Sequence, residues 1–461
     1  MRRALAAAAA GLALAGCVVG PDHRDPRPQA PAQAPFASAR SPAFTGDQPP
    51  GRWWSLFRDP VLDSLVEQAL ARNTDLRIAA ANLRRARAVL RETRAGRLPS
   101  TEISAGATYG QEPGGDAGDL YDAGIDIGYQ VDLFGRITRA IQASRADAEA
   151  VQAAFDLTRI TVAAETARAY ADACSAGRQL AVARESVRIQ QRTFDLTRRL
   201  LEGGRGTALE TSQAGSLLDQ TRAAIPTLEA LRRTALYRLS VLTGRPPAEF
   251  PPQAASCETP PALARPIPVG DGASLLARRP DIRAAERTLA AATARVGVAT
   301  ADLYPSISIG GSLGSTAASP GGLISGDGFR FSIGGLISWT FPNVAVARAR
   351  ISQAEASADA ALAGFDGTWL NALQETESAL ATYAGELDRL AALRRARDQG
   401  AEAARVARLR FDAGRESFQV VLDAERALAA TDAAVAQSEA SLSDNLVSLF
   451  LALGGGWQDS A

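Results

Sequence analysis

Residues 123–136 read AGIDIGYQVDLFGR, and two periods of hydrophobicity meet in this stretch. In its first part the apolar residues occupy every second position: Ala123, Ile125, Ile127, Tyr129, Val131 and Leu133. Such alternation is typical of a β-strand with one apolar and one polar face. After Phe134-Gly135-Arg136 the apolar residues recur at every seventh position instead: Ile141, Ala148, Phe155, Val162 and Ala169. The stretch therefore predicts a strand that leads directly into a helix.

The predicted helix is long, because no proline interrupts Ile137–Leu201. Roughly 65 helical residues span on the order of 100 Å at the usual rise per residue. A second apolar stripe, spaced alternately four and three, runs beside the first from Ala153 to Ala171. Two stripes indicate a helix that packs against a neighbour on each side.

The same design occurs a second time at Phe329–Phe411, where an alternating stretch again leads into a seven-residue period. Ile351, Phe365 and Gly414 each lie 210 positions after an identical residue, namely Ile141, Phe155 and Gly204. Self-similarity at a fixed and long spacing predicts two internal repeats with similar structures.

Each repeat also predicts a β-hairpin, over residues 101–133 and 306–341, with strands of about ten residues. Such strands have the length that crosses an outer membrane. Four strands cannot close a membrane barrel, since the smallest have about eight, and an open edge is not tolerated in lipid. Either other copies of the chain supply strands, or the strands are not in a membrane. The predicted fold class is mostly α with membrane β.

The predicted boundaries follow from composition and periodicity. Residues 1–16 form a signal peptide, 17–52 a Pro-rich tether and 458–461 a tail. Residues 53–244 form the first repeat, with a helix from Leu62 to near Gly96 and long helices over 136–201 and 207–243. A Pro-rich linker over 245–271 precedes the second repeat, 272–457, with long helices over 344–411 and 417–452.

Composition excludes several classes of function. The formal net charge is zero, so the totals give no reason to expect nucleic-acid binding. All 50 basic residues are arginine, which excludes a Walker A loop and Schiff-base lysine chemistry. His23 is the only histidine, which argues against histidine-based metal sites and Ser-His-Asp triads. We therefore expect no enzyme activity, no cofactor and no metal site.

The N-terminus predicts a lipoprotein. Arg2 and Arg3 precede a short apolar run that ends Leu14-Ala15-Gly16-Cys17, which looks like a bacterial lipobox. Cys17 is the predicted lipidation site, and the alternative is an ordinary signal peptide with an incidental cysteine. By resemblance to lipoprotein sorting, Val18 after the cysteine favours the outer membrane. Cys174 is expected as a packed thiol in a helix, and pairs with Cys257 only if the fold brings the two close.

A set of motifs distributed over nearly the whole mature chain resembles one known family. The motifs are Trp54 with Asp59-Pro60, Tyr129–Arg136, Arg278–Ile282, Arg410–Gly414, Leu422–Ala424 and Leu453–Trp457. Together they resemble the TolC-type outer-membrane efflux family, in its lipidated OprM or NodT-like branch. The resemblance implies a homotrimeric twelve-strand barrel in the outer membrane, continued by a periplasmic α-helical barrel. It further implies a periplasmic adaptor protein and an inner-membrane pump, of the RND type, as partners.

The resemblance also implies where the functional residues lie. The candidates for an adaptor-docking tip are the residues of the two glycine turns: Gly204, Arg205, Thr207, Gly414, Arg415 and Ser417. Thr207 is in addition a helix cap by its residue type. The candidates for a periplasmic gate lie just after the turns: Asp423, Gln419, Val420 and Gln213. A ring of three Asp423 side chains would repel anions and attract cations, and the alternative for Asp423 is a capping or interhelical role.

These observations predict a passive exit duct for drugs, metals or other small molecules, located in the outer membrane and extending into the periplasm. Two alternatives remain open at this stage. The same duct could serve type I protein secretion, or the chain could be a non-pore coiled-coil tether lipoprotein. The four amphipathic strands favour a duct, because a tether has no use for hairpins with apolar faces.

Overall fold

The computed structural model of the chain describes residues 18–26, 30–111, 116–263, 265–341 and 344–455. The predicted signal peptide and Cys17 lie outside the described residues, as does the predicted tail. The α-helices are, in chain order, α1 (Pro60–Arg72), α2 (Thr74–Ala95), α3 (Arg136–Glu202), α4 (Ala208–Leu242), α5 (Pro252–Ala255), α6 (Gly272–Arg278), α7 (Pro280–Ala301), α8 (Val344–Asp412) and α9 (Phe418–Ala452). The β-strands are β1 (Phe44–Thr45), β2 (Ser100–Gln111), β3 (Ala117–Val131), β4 (Ile267–Pro268), β5 (Ser306–Ala317) and β6 (Phe329–Ser338).

The long helices have the lengths that the heptad-like pattern predicts. α3 contains 67 residues and α8 contains 69, and each return helix, α4 and α9, contains 35. α4 continues through Pro226. Within the described residues, no helix combines the length and apolarity needed to cross a membrane.

Four strands form one antiparallel sheet in the order β2-β3-β5-β6. Three strands exceed the predicted length of about ten residues, since β2 and β5 contain 12 residues and β3 contains 15. β6 contains 10 residues and ends at Ser338, before the predicted end of the hairpin at 341. Register puts apolar residues opposite one another in one row: Ile103, Ile125, Leu313 and Phe331. The adjacent row is polar: Glu102, Asp126, Ser312 and Ser332. Because successive side chains point to opposite faces, the sheet has one apolar and one polar face.

The chain divides into two compact units, and each takes residues from both sequence halves. The first unit contains Ala81–Ala153, Asp281–Thr368 and the described residues before 27, and therefore the four-stranded sheet. The second unit contains Pro28–Ala80, Ala154–Pro280 and the chain from Trp369 onward. The two compact units thus do not coincide with the predicted sequence repeats.

Trp53 belongs to the core of the second unit, and the half-buried Asp59 bonds to Tyr170 of the same core. The Trp53 ring is buried and stacks on Phe450 with ring centroids 4.8 Å apart, as expected of a packed aromatic anchor. Asp59 caps α1, because its Oδ1 accepts a hydrogen bond from the Val61 amide at 2.9 Å. Tyr170 on α3 donates to the other carboxylate oxygen of Asp59 at 2.8 Å. Burial and this hydrogen bond raise the pKa of Tyr170.

The expectation for Cys174 as a packed free thiol is wrong, because Cys174 and Cys257 form a disulfide. Gly177, one turn further along α3, explains the approach of the linker. A Cβ at Gly177 would lie 2.2 Å from the Cys257 carbonyl oxygen, so only glycine lets the linker run this close to the helix. The bond attaches the Pro-rich linker to the long helix.

The expectation of an extended tether over 17–52 is not met in the described part of that segment. Phe36 and Phe44 are buried, and β1 pairs in parallel with β4 through Phe44 and Ile267. These two aromatic side chains join the buried core cluster, although most described residues of the segment stay exposed. The Pro-rich composition of the segment therefore did not predict that it packs on the core.

The single helix expected from Leu62 to Gly96 is interrupted at Asn73. The Asn73 side chain accepts a hydrogen bond from the Asp75 amide at 2.8 Å and donates to the Leu242 carbonyl at 3.1 Å. A side chain that caps a new helix start competes with continuation of the old helix. Asn73 therefore divides this region into α1 and α2.

Candidate functional site

The first glycine turn closes α3 with a left-handed residue. Gly204 has a φ of +70°, a conformation that favours glycine. The Gly204 amide donates to the Leu201 carbonyl at 3.0 Å, and the Arg205 amide donates to the Leu200 carbonyl at 2.8 Å. This pair of hydrogen bonds is the Schellman arrangement, which satisfies the last carbonyls of a helix.

The second glycine turn closes α8 in the same way. Gly414 has a φ of +67°, and its amide donates to the Phe411 carbonyl at 2.8 Å. The Arg415 amide donates to the Arg410 carbonyl, also at 2.8 Å. The two turns thus have matching backbone geometry, and Arg205 and Arg415 both have exposed side chains directly after it.

The helices that follow the turns begin differently. Thr207 and Glu210 form a reciprocal capping box, in which Thr207 Oγ1 accepts from the Glu210 amide at 3.2 Å and Glu210 accepts from the Thr207 amide at 2.8 Å. The predicted cap at Thr207 is therefore confirmed. Ser417 is the N-cap residue of α9, but its side chain makes no capping hydrogen bond. The first return helix is the better capped of the two.

One apolar cluster joins the ends of α3, α4, α8 and α9. Its buried members and the two phenylalanines packed on them are Phe194, Ala214, Leu217, Phe411, Phe418 and Leu422. Phe411 and Phe418, on either side of the second turn, pack edge to face with ring centroids 5.8 Å apart. The two turns therefore share one small core, and we call this end of the second unit the tip.

Asp423 is an exposed residue of α9, and it directly follows Leu422 of the tip cluster. Gln419 donates to both of its carboxylate oxygens, at 3.1 and 3.2 Å, and Arg426 Nη1 lies 3.4 Å from its Oδ1. Val420 beside them is 43% exposed. Gln213, at the matching position of the first half, is half-buried on α4. The structure thus brings Gln419 and Asp423 together, and Arg426 offsets part of the Asp423 charge.

An ion pair that was not predicted from the sequence lies inside the tip. Glu425 of α9 is 3% exposed, pairs with Arg408 of α8 and accepts a hydrogen bond from Thr193 of α3 at 2.9 Å. The signal was present in the sequence, because Phe418, Leu422 and Glu425 share the spacing of one buried helix face. A charge at an apolar position of that stripe indicates a buried pair.

A second group that the sequence did not single out is Asp172 of α3. Burial and the nearby negative charge of Asp444 raise the pKa of Asp172 to about 6, while Arg168 acts in the opposite direction. Arg168 donates to Asp444 at 2.7 Å. Asp172 therefore titrates closer to neutrality than an ordinary aspartate.

One group of residues qualifies the expectation of no histidine-based metal site. In the described part of the chain, His23, Asp25 and Glu286 place three possible ligand atoms within 4.8 Å of one another. Arg287 lies among them, with Nη2 3.7 Å from Asp25 and Nε donating to Glu286 at 2.5 Å. A guanidinium that already neutralises both carboxylates favours an ion-pair network over a metal site.

Comparison with known proteins agrees with this architecture. A family model described as outer membrane efflux protein matches residues 65–245 and 273–455. Nodulation protein T of Rhizobium leguminosarum bv. trifolii is 30% identical, covering 98% of this chain and 97% of the relative. Toluene efflux pump outer membrane protein TtgC of Pseudomonas putida is 29% identical, covering 99% and 96%. The solved structure of the outer-membrane channel OprN is 38% identical with a TM-score of 0.90, covering 96% of this chain and all of that one.

Two long helix pairs, an amphipathic sheet and paired glycine turns are the architecture of a TolC-like outer-membrane channel. The chain belongs to the outer membrane efflux protein family. It is therefore an outer-membrane protein that functions in efflux, and the family predicted from its motifs is confirmed.

Proposed function

We propose that three copies of this chain assemble into one continuous duct, and the open edges of the sheet carry this proposal. β2 and β6 are the edge strands of the four-stranded sheet. Unpaired edge groups are costly in lipid, so each edge requires a partner strand. Three copies joined edge to edge give twelve strands, which is within the range of closed outer-membrane barrels.

The two faces of the sheet support a membrane barrel with a wet interior. The exposed apolar side chains of one face would contact lipid: Ile103, Ile125, Leu313, Phe331, Ile333 and Ile337. Glu102, Asp126, Ser312 and Ser332 lie on the other face, which would line the lumen. Alternation of lipid-facing and lumen-facing residues is the pattern of membrane barrels. In this arrangement α3, α4, α8 and α9 of three copies form a periplasmic helical barrel, with two internal repeats in each chain.

The tip is the proposed contact with a periplasmic adaptor protein. Its two turns expose backbone and the side chains of Arg205 and Arg415, while the cluster around Phe418 keeps them in place. Basic side chains next to helix C-termini also interact favourably with the helix dipole. An adaptor docked here would connect the duct to an inner-membrane pump of the RND type, which supplies the energy, so the duct itself is passive.

The proposed gate lies on α9 just beyond the tip. Asp423 is the charged member, with Gln419 bonded to it and Val420 beside it. Three copies of Asp423 in a narrow throat would form an acidic ring that favours cations. Arg426 at 3.4 Å moderates this charge. Gln213 contributes a neutral side chain from the first half.

The proposed cargo is small organic molecules. Toluene is the compound named for one relative that matches over nearly the whole length of this chain. We further propose that Cys17 carries lipid that anchors the protein to the outer membrane, and that the acidic ring acts on ions rather than on uncharged cargo.

The test is single-channel conductance of the purified, detergent-extracted protein in planar bilayers, together with the mass of its oligomer. We expect a trimer with discrete conductance steps. A monomer, or a trimer that does not conduct, would contradict the duct. Loss of efflux of a small organic probe after deletion of the chain, with restoration by the intact chain, tests cargo separately.

A further inference from the structure

The residues that directly follow Cys17 are packed on the first unit. Residues 18–26, which we call the arm, contact the start of α3 and two positions along α7. The Val19 amide donates to the carbonyl of Phe134 at 3.2 Å, where the end of β3 leads into α3. The arm therefore begins at one end of the sheet, one residue from the predicted lipidation site.

Arg139 of α3 holds the arm through its guanidinium. Nε donates to the Val19 carbonyl at 3.0 Å, Nη2 to the Gly20 carbonyl at 3.0 Å and Nη1 to Asp22 at 2.8 Å. Only 4% of the Arg139 side chain is exposed. A buried arginine requires several charge-assisted partners, and the arm supplies three of the Arg139 donors with acceptors.

Two glycines let the arm approach the helices closely. A Cβ on Gly20, which has a φ of +86°, would lie 2.4 Å from the Cα of Gly297 on α7. A Cβ on Gly135 would lie 2.7 Å from Cγ1 of Val18. Larger residues at either position would push the arm outward, so the packing depends on the absence of side chains.

A second attachment follows a few residues later. His23 Nε2 lies 2.8 Å from the Glu286 carboxylate, and Asp25 lies 3.7 Å from Arg287. Both partners are on α7. The arm is therefore fixed at two points by two helices.

The end of the sheet where the arm begins carries the half-buried Phe134 and the exposed Tyr304, Trp339 and Phe341. Phe134 and Tyr304 stack with centroids 4.6 Å apart, and Trp339 and Phe341 stack at 4.9 Å. The Trp339 indole donates to the Leu303 carbonyl at 3.1 Å. Rings of this kind lie at the interface between membrane and water in outer-membrane barrels.

We propose that the arm is a clamp that fixes the acylated N-terminus at this aromatic end of the sheet, with Arg139 as its positioning residue. The inference rests on the proposed lipidation of Cys17. The acyl chains would enter the leaflet beside Phe134 and Tyr304 instead of sampling the length of a free tether. The lipid anchor would thus insert at a defined place against the barrel.

A photoactivatable, clickable fatty acid supplied to cells tests the clamp. After illumination of membranes, peptides of the chain that are cross-linked to the acylated Cys17 peptide are mapped by mass spectrometry, because the same fatty acid also enters phospholipids and would label a barrel from the bulk membrane. We expect cross-links to peptides that contain Phe134, Tyr304 or Trp339 in the wild type. We expect their loss in Arg139→Ala and partial recovery in Arg139→Lys, which keeps a charge but fewer donors.

Gly20→Val tests the same clamp from the arm side, where a change leaves the helices intact. We expect it to lose the same cross-links while the protein stays folded. Matched controls are Arg145→Ala, an exposed arginine on the same helix, and Gly46→Val, whose Cβ meets no atom within 4 Å. Both controls should keep the wild-type pattern.

Two results would overturn the clamp. Unchanged cross-links in folded Arg139→Ala and Gly20→Val would mean that the arm does not position the lipid. If the Cys17 peptide of the wild type carries no label, as expected for Cys17→Ala, there is no lipid to position. Neither result affects the conductance that tests the duct, so failure of the clamp and failure of the duct are distinguished.

Discussion

Arg408 and Glu425 form an ion pair inside the tip, and the two partners differ in their access to water. The Glu425 side chain is 3% exposed, whereas 42% of the Arg408 side chain is exposed. Asp423, two residues before Glu425 on the same helix, is instead 55% exposed. One turn of α9 therefore carries one carboxylate that bonds to two neighbouring helices and another that is exposed.

Because only Glu425 is buried, we expect the removal of Arg408 and the removal of Glu425 to destabilise the protein by different amounts. Arg408→Ala leaves the Glu425 carboxylate buried with Thr193 as its remaining donor, and should cost about 3–5 kcal/mol. Glu425→Ala leaves a guanidinium that reaches solvent, and should cost about 1–3 kcal/mol. Thermal unfolding of the detergent-extracted protein measures both.

Asp219→Ala is the matched control, because Asp219 and Arg222 form an exposed pair one turn apart. Its removal should change stability by less than about 1 kcal/mol. Equal losses for Arg408→Ala and Glu425→Ala would show that the pair does not depend on burial of the carboxylate.

Asp423→Ala should raise conductance and lower the preference for cations. The substitution removes the proposed acidic ring and shortens the side chain that Gln419 holds. Single-channel current and reversal potential under a salt gradient measure the two effects. Gln213→Ala, at the matching position of the first half, changes no charge and should leave cation preference unchanged. Identical preference in wild type and Asp423→Ala would remove Asp423 from the gate.

Gly414→Ala and Gly385→Ala should shift stability in opposite directions. Gly414 has a φ of +67°, and an L side chain in this conformation costs about 1–2 kcal/mol. Gly385 lies inside α8, where a Cβ meets no atom within 4 Å, so alanine should stabilise by about 0.4–1 kcal/mol. Unfolding temperatures of the two variants provide the comparison. Destabilisation by both would indicate that Gly385 faces a partner.

Much of the fold was predictable because it depends on periodicity. The strand at Ile125 and the helix from Arg136 follow from the change from a two-residue to a seven-residue period, and Gly204 and Gly414 identify the turns by residue type. The docked segment around Phe44 was not predictable, because its partner Ile267 is more than 200 residues away. The Cys174–Cys257 bond was not predicted either, because its two cysteines have a sequence separation of 83 and only the fold brings them together.

The candidate site shows the same difference between local interactions, which were predictable, and long-range ones, which were not. Thr207 was predictable as a cap because its partner Glu210 is three residues away. The partners of Glu425 lie on two other helices, and only its place on an apolar face pointed to burial. Local chemistry is readable from sequence, whereas long-range pairing requires the structure.

Reduction of the Cys174–Cys257 disulfide should destabilise the protein. The bond closes a segment with a sequence separation of 83, and loop-closure entropy gives about 3–5 kcal/mol for loops of this size. Unfolding with and without a reductant should differ in the wild type and not in Cys174→Ser/Cys257→Ser. A wild type that is insensitive to reductant, with both thiols open to alkylation before treatment, would show that the bond does not form.

Asp172→Asn should stabilise the protein at pH 7.5 and have little effect at pH 4. The pKa of Asp172 is raised to about 6 in the folded state, so between about pH 4 and 6 the folded chain binds more protons there than the unfolded chain. The free energy of unfolding therefore falls as pH rises through that window. The raised pKa of Asp172 corresponds to about 3 kcal/mol of stability, reduced to about 1–2 kcal/mol by partial solvent access. Asparagine resembles the protonated carboxyl group and cannot ionise, so the variant should not show this fall in the free energy of unfolding. Unfolding temperatures from pH 4 to 7.5 measure the effect, and Asp219→Asn, at an exposed aspartate, is the control. If the unfolding temperatures of the wild type and of Asp172→Asn change in parallel with pH, the pKa of Asp172 is not raised.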